Sequence, residues 1–252
     1  MRGIGFAGAA VLVLNSVIGS GIFGLPGVVA PRTGVLGPWL FLAIGILIIT
    51  MVLTLAELAS YFKDSGGPVL YTSTAFGPLA GFTTGWILFI SRMTAFAANS
   101  NVMGIYLAEV FPWFGDGIGR SVLITFIAVS LTWANYVGVK EGMRTMAVIT
   151  FFKIAPIVLI ILLGLTHVSG DTLFPSVVPQ IEDLGGTTLM LIFAFVGFES
   201  ATIISGETKN PKETLPRALV QTVIFIGVLY FLIVLVVISV IPGGGRGAAS
   251  PP

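Results

Sequence analysis

Apolar residues dominate this chain in long, nearly unbroken runs, and the polar positions are gathered between them. Crossing a hydrocarbon core of about 30 Å takes about 20 helical residues. Runs of that order lie near 4–30, 36–62, 78–108, 120–138, 145–167, 184–205 and 218–241, which predicts an all-α integral membrane protein with about seven transmembrane helices. The connectors hold the breakers and charges: Pro31-Arg32-Thr33-Gly34, Lys63 to Pro68, Phe111 to Gly119, Gly138 to Arg144, Val168 to Asp183 and Gly206 to Arg217. The first run, with Arg2 ahead of it, is much longer than the apolar region of a secretion signal, about 7 to 15 residues, so it is read as the first transmembrane helix.

Two runs carry glycines in their middle. One reads Asn15-Ser16-Val17-Ile18-Gly19-Ser20-Gly21-Ile22-Phe23, the other Phe193-Ala194-Phe195-Val196-Gly197-Phe198-Glu199. Lipid cannot satisfy the backbone groups that an interrupted helix frees, so such breaks are expected only where they line a cavity or a ligand. Gly19 lies about 13 residues, or about 20 Å, from a helix start near Phe6, and Gly197 is about as deep when entered from Leu184. Paired breaks at matching depth are a mark of secondary transporters. The competing reading is that these glycines only let helices pack closely, as small-xxx-small motifs do.

Composition sharpens this picture. Hydrophobic residues make up 56% and charged ones 9%, with a mean hydropathy of +1.04. These values exclude an ordinary soluble domain. The net charge of +1 leaves no nucleic-acid footprint. With no cysteine, and His167 as the single histidine, thiolate chemistry and a histidine-based metal site are not expected. No nucleophile, base and orienting group occur together, so no enzyme is expected. With the N-terminus placed inside, the inner loops hold Arg2, Lys63, Lys140, Arg144, Lys209, Lys212 and Arg217, and the outer ones only Arg32, Arg120 and Arg246. That asymmetry predicts a cytoplasmic N-terminus. The stretch 242–252, rich in glycine and proline, reads as a flexible low-complexity tail after a transmembrane domain spanning 1–241. An odd number of helices followed by such a tail is expected of a chain that stops early.

Several motifs carry a family resemblance. Ile18-Gly19-Ser20-Gly21-Ile22-Phe23 with Leu25-Pro26-Gly27 resembles the opening helix of the amino acid/polyamine/organocation permeases. The second glycine motif, followed by Gly206-Glu207-Thr208-Lys209-Asn210-Pro211, is similar to that family's sixth helix and the loop after it. Gly66-Gly67-Pro68 with Ala75-Phe76-Gly77, and Asn135-Tyr136-Val137-Gly138-Val139-Lys140, agree with it in order along the chain. The resemblance covers about 5–241. It implies a leucine-transporter-like inverted-repeat fold with broken helices 1 and 6, of which this chain would hold helices 1–7, without helices 8 and 10 that help enclose the family's sites. It also implies a cell-membrane permease for an amino acid or amine.

An opened helix suits a zwitterion, because it offers dipoles instead of full countercharges. The helix that restarts at Gly19, Ser20, Gly21 and Ile22 is expected to receive a carboxylate on its free N–H groups. Carbonyls around Ile18 and around Phe193, Ala194 and Val196 are expected to take the ammonium group, as the resemblance implies. Phe193 matches the family's aromatic lid over the substrate, the alternative being an ordinary lipid-facing or core phenylalanine. Lys153 is about 12 Å into its helix and, like helix-5 lysines in proton-coupled relatives, is a candidate proton carrier, with H+ as the coupling ion and no other cofactor. The alternative is a lysine snorkelling to the interface. Arg92 is read as structural, with Glu199 its acidic candidate and itself a possible proton-linked or gating group. Proton-coupled amino acid transport is the leading expectation. A seven-helix receptor or a channel is the alternative, although the last run holds no ionisable residue to serve a retinal-type ligand and no carbonyl filter is seen.

Overall fold

The computed structural model describes residues 3–62, 64–137, 142–174 and 181–240. Arg2, Lys63, 138–141, the connector 175–180 and everything from Ile241 onward, including the tail with Arg246, lie outside the described residues, as do the side chains of Asn135 and Arg144.

Helices account for nearly all of the described chain. They are α1 (Phe6–Val17), α2 (Ser20–Thr33), α3 (Gly37–Tyr61), α4 (Pro68–Phe76), α5 (Pro78–Ala108) and α6 (Gly117–Val137), then α7 (Gly142–Gly164), α8 (Gly170–Leu173), α9 (Ile181–Phe195), α10 (Ser200–Ile203) and α11 (Pro211–Val240). Among the described residues β-structure is limited to an isolated bridge between Ile4 and Thr208. Proline opens the first turn of α3, α4 and α5, where its missing N–H would have no intrahelical partner in any case. Gly77 turns the chain sharply between α4 and α5 with φ +90°, a region that a side chain disfavours.

The hydropathy pattern and the helices agree closely for α5, but the first apolar run is divided into α1 and α2, and α4 and α8 are short helices where no span was expected. Four stretches among the described residues are long and apolar enough to cross a membrane: Ser20–Tyr61, Thr145–His167, Leu184–Ile203 and Pro211–Val240. Ser20–Tyr61 takes in two of the expected runs, α2 and α3, as one stretch, and polar residues Ser91, Arg92, Asn99, Ser100 and Asn101 dilute α5.

α11 forms the centre, packed along α3 and also against α1, α2 and α7. Tyr230, Ile226, Leu219 and Val234 of α11 meet Phe41 and Ile48 of α3, Val13 of α1 and Leu191 and Phe195 of α9 in one buried cluster. Phe195 packs against Gly45 of α3, where a Cβ would stand 3.4 Å from its ring. In contrast, Phe82, Trp86 and Phe89 on α5, Phe126 and Trp133 on α6, and Phe151 and Phe152 on α7 point outward. So much outward apolar surface is a liability in water and the normal state of a helix facing lipid.

Candidate functional site

Two helical interruptions lie side by side. α1 ends at Val17 and α2 starts at Ser20, with Ile18 at φ −73°, ψ 89° and Gly19 at φ −114°, ψ −149° between them. α9 ends at Phe195, and a turn through Gly197 (φ +126°) leads into α10. Gly197 is required twice over: its φ favours glycine, and a Cβ there would collide with the Ser16 carbonyl oxygen. Gly21 makes the matching approach, since its Cβ would lie 3.3 Å from the Ala194 Cα.

Helix ends leave backbone groups without intrahelical partners, and buried ones need others. At the C-terminal end of α1, the Lys153 ammonium donates to the Asn15 side-chain oxygen (2.8 Å) and to the Asn15 and Ile18 carbonyls (both 3.2 Å). Three donors thus meet three acceptors, and a cation at the C-terminal end of a helix is the favourable arrangement. At the N-terminal end of α2, the Ser20 N–H donates to the Asn99 side-chain oxygen at 2.9 Å. The fully buried Tyr230 hydroxyl lies 3.1 Å from the Ala194 carbonyl and 3.4 Å from the Val17 carbonyl, so one group on α11 serves the ends of both α1 and α9.

The second interruption is held from its own sequence and from α5. One oxygen of the Glu199 carboxylate accepts the Gly197 N–H at 3.0 Å. The other accepts from Arg92 at 2.7 Å. Arg92 donates also to the Ser200 hydroxyl at 2.6 Å. The pair is unequal in setting, with the Arg92 side chain 42% exposed and that of Glu199 14%.

Between the interruptions and α5 is a cavity of about 140 Å³. Its wall includes Gly19, Ser20 and Gly21 from the first interruption, Phe193, Ala194 and Val196 from the second, and Ser91, Arg92 and Asn99 from α5. It is below the ~300 Å³ at which drug-sized pockets begin, a size suited to a small solute. Of the residues expected to bind substrate, Ile18 and Ile22 are buried and outside the lining. The Ile18 carbonyl is engaged by Lys153, the Ala194 carbonyl by Tyr230, and the Phe193 carbonyl by the Val196 N–H. Each retains one lone pair. Phe193 is 43% exposed and stands at the cavity wall. Lys153 is outside the lining and reaches the first interruption from behind.

Asn99, Ser91 and Tyr230 were not anticipated as site residues. Ser91, Ala95 and Asn99 recur at a spacing of four, a stripe of polar and small residues along one face of α5 that sequence alone displays. Tyr230 has no such signal.

A helical, multi-pass membrane protein, with a small cavity of mixed polar and apolar lining beside the ends of its helices, is the class that this fold defines. The chain belongs to the amino acid permease family, whose sequence model matches residues 4–248. It is 34% identical to the serine/threonine exchanger SteT of Bacillus subtilis (strain 168), over 91% of this chain and 53% of SteT. It is 26% identical to the branched-chain amino acid permease BcaP of the same organism, over 96% of this chain and 55% of BcaP. With an arginine/agmatine antiporter of Chlamydia pneumoniae it shares 27% identity, over 96% of this chain and 52% of that protein. The chain spans about half the length of these relatives. All three are transporters by name, and none is an enzyme.

Proposed function

We propose that this chain forms the solute-binding portion of a secondary active transporter in the cell membrane, with small neutral amino acids as substrate. The observation that carries the reading is the cavity of about 140 Å³ bounded by the ends of interrupted helices and by serine and asparagine side chains. The substrate carboxylate meets the first turn of α2 at Gly21 and Ile22, beside the Gly19 N–H held by the Val17 carbonyl and the Ser20 N–H held by Asn99, and the ammonium meets the remaining lone pairs of the Ile18, Phe193, Ala194 and Val196 carbonyls. Phe193 serves as the lid. Serine and threonine, the solutes in the name of one relative, match the size and polarity of this wall.

In this reading 1–241 is a permease domain with seven spans, built from α1 with α2, α3, α5, α6, α7, α9 with α10, and α11, with its N-terminus in the cytoplasm and the interruptions of α1/α2 and α9/α10 at mid-membrane. Alternating access proceeds around those interruptions. Proton coupling runs through Lys153: losing its proton weakens its hold on Asn15 and Ile18, which loosens the C-terminal end of α1. Glu199 takes the gating role, because it links Arg92 on α5 to the backbone of the second interruption. A receptor or channel is disfavoured by the transporter relatives.

The test is saturable binding of radiolabelled L-serine to the purified chain in lipid nanodiscs, competed by other small neutral amino acids. Binding that no amino acid displaces refutes the reading.

A further inference from the structure

Arg92 is the only charged residue among those lining the cavity, and its partner Glu199 is not part of the lining. The cavity therefore meets the cationic member of the pair first. Among the described residues, one guanidinium nitrogen of Arg92 is engaged, by Glu199 at 2.7 Å and Ser200 at 2.6 Å, and a guanidinium carries five N–H donors. We infer that Arg92 is the specificity-determining residue of the cavity: paired with Glu199 it leaves the wall without net charge, so that zwitterions are admitted and solutes with a cationic or an anionic side chain find no counterion.

A solute in a cavity this small lies close to the guanidinium, but the Glu199 carboxylate 2.7 Å from it cancels most of its field, so a net charge on the solute loses its water without gaining a counterion. A zwitterion presents no net charge and can orient its carboxylate toward the α2 end. A second ammonium has no such option, because the carboxylate that would welcome it is already occupied by Arg92. Without the arginine, Glu199 would be a poorly solvated carboxylate lacking a partner, and a cationic solute would become its natural replacement.

This inference rests on the amino-acid reading of the cavity, and the experiment separates the two. Equilibrium binding to the whole chain in nanodiscs is measured for three solutes of similar size and different charge: L-serine, L-2,4-diaminobutyrate and L-aspartate. The wild type binds serine at least about tenfold more tightly than the other two. R92Q gains at least about tenfold in affinity for diaminobutyrate, R92K returns to the wild-type preference, and R92Q/E199Q loses the gain. In E199Q the Gln amide oxygen still accepts the Gly197 N–H, and the uncompensated guanidinium raises aspartate affinity at least about tenfold; this arm decides the matter if R92Q does not fold. Unchanged charge preference in both single variants, or a diaminobutyrate gain that survives in R92Q/E199Q, overturns the role of Arg92 while leaving serine binding intact. A wild type that binds none of the three overturns the amino-acid reading itself, and this inference with it.

Discussion

Replacing Tyr230 with phenylalanine removes one oxygen from the most enclosed point of the molecule, where two interrupted helices end. The ring contacts survive: Phe41 lies edge-on at 5.7 Å and Phe195 at 5.2 Å between centroids, and neither depends on the hydroxyl. What disappears is the donor that reaches the Ala194 carbonyl at 3.1 Å and the Val17 carbonyl at 3.4 Å. The first distance is a good hydrogen bond and the second is marginal. An unsatisfied buried acceptor costs about 1–3 kcal/mol. Hydrogen bonds between membrane helices average about 0.6 kcal/mol and reach about 1.7, because the unfolded chain in lipid also finds partners. Tyr230 has no exposed surface and one hydroxyl serves two helix ends, so the upper part of that range applies and about 1–2 kcal/mol is expected. Denaturant titration of the purified chain in mixed micelles, for wild type and Y230F, measures it. Because the same hydroxyl aligns both walls of the cavity, serine affinity should fall about five- to thirtyfold with it. Y230F with an unchanged unfolding midpoint and serine affinity within about twofold of wild type would refute the idea that this hydroxyl holds the two interruptions together.

Gly197→Ala forces a side chain into a left-handed backbone position and against the Ser16 carbonyl. It should destabilise the chain by at least about 1–3 kcal/mol, seen as a lower unfolding midpoint and less monodisperse protein, whereas Gly185→Ala, where a Cβ meets open space, should behave as wild type. Lys153→Ala removes all three hydrogen bonds to Asn15 and Ile18; serine binding should weaken and lose its pH dependence, and a pH profile parallel to wild type would exclude Lys153 from coupling. Asn99→Ala leaves the Ser20 N–H without its acceptor, a loss comparable to that of a helix N-cap, about 1 kcal/mol, so serine affinity should fall about fivefold in the binding assay.

Hydropathy along the chain determined the class of protein and the approximate places of its helices, because burial in lipid acts on each segment separately and leaves its mark in one dimension. Gly19 and Gly197 stand between consecutive helices, whereas Gly21 lies within α2. The same local rule missed the short helices α4 and α8, which are too brief to register as apolar runs. Partnership is different. Arg92 and Glu199 are 107 positions apart, Tyr230 and Val17 213 apart, and no periodicity links them. Only the packing of α5 and α11 onto the interruptions decided that Glu199 would be spanned by Arg92 and Gly197, that Ser20 would be capped by Asn99, and that the Ile18 and Ala194 carbonyls would be shared with Lys153 and Tyr230. A freed backbone group must find a partner wherever the fold places one, and that location exists only in three dimensions.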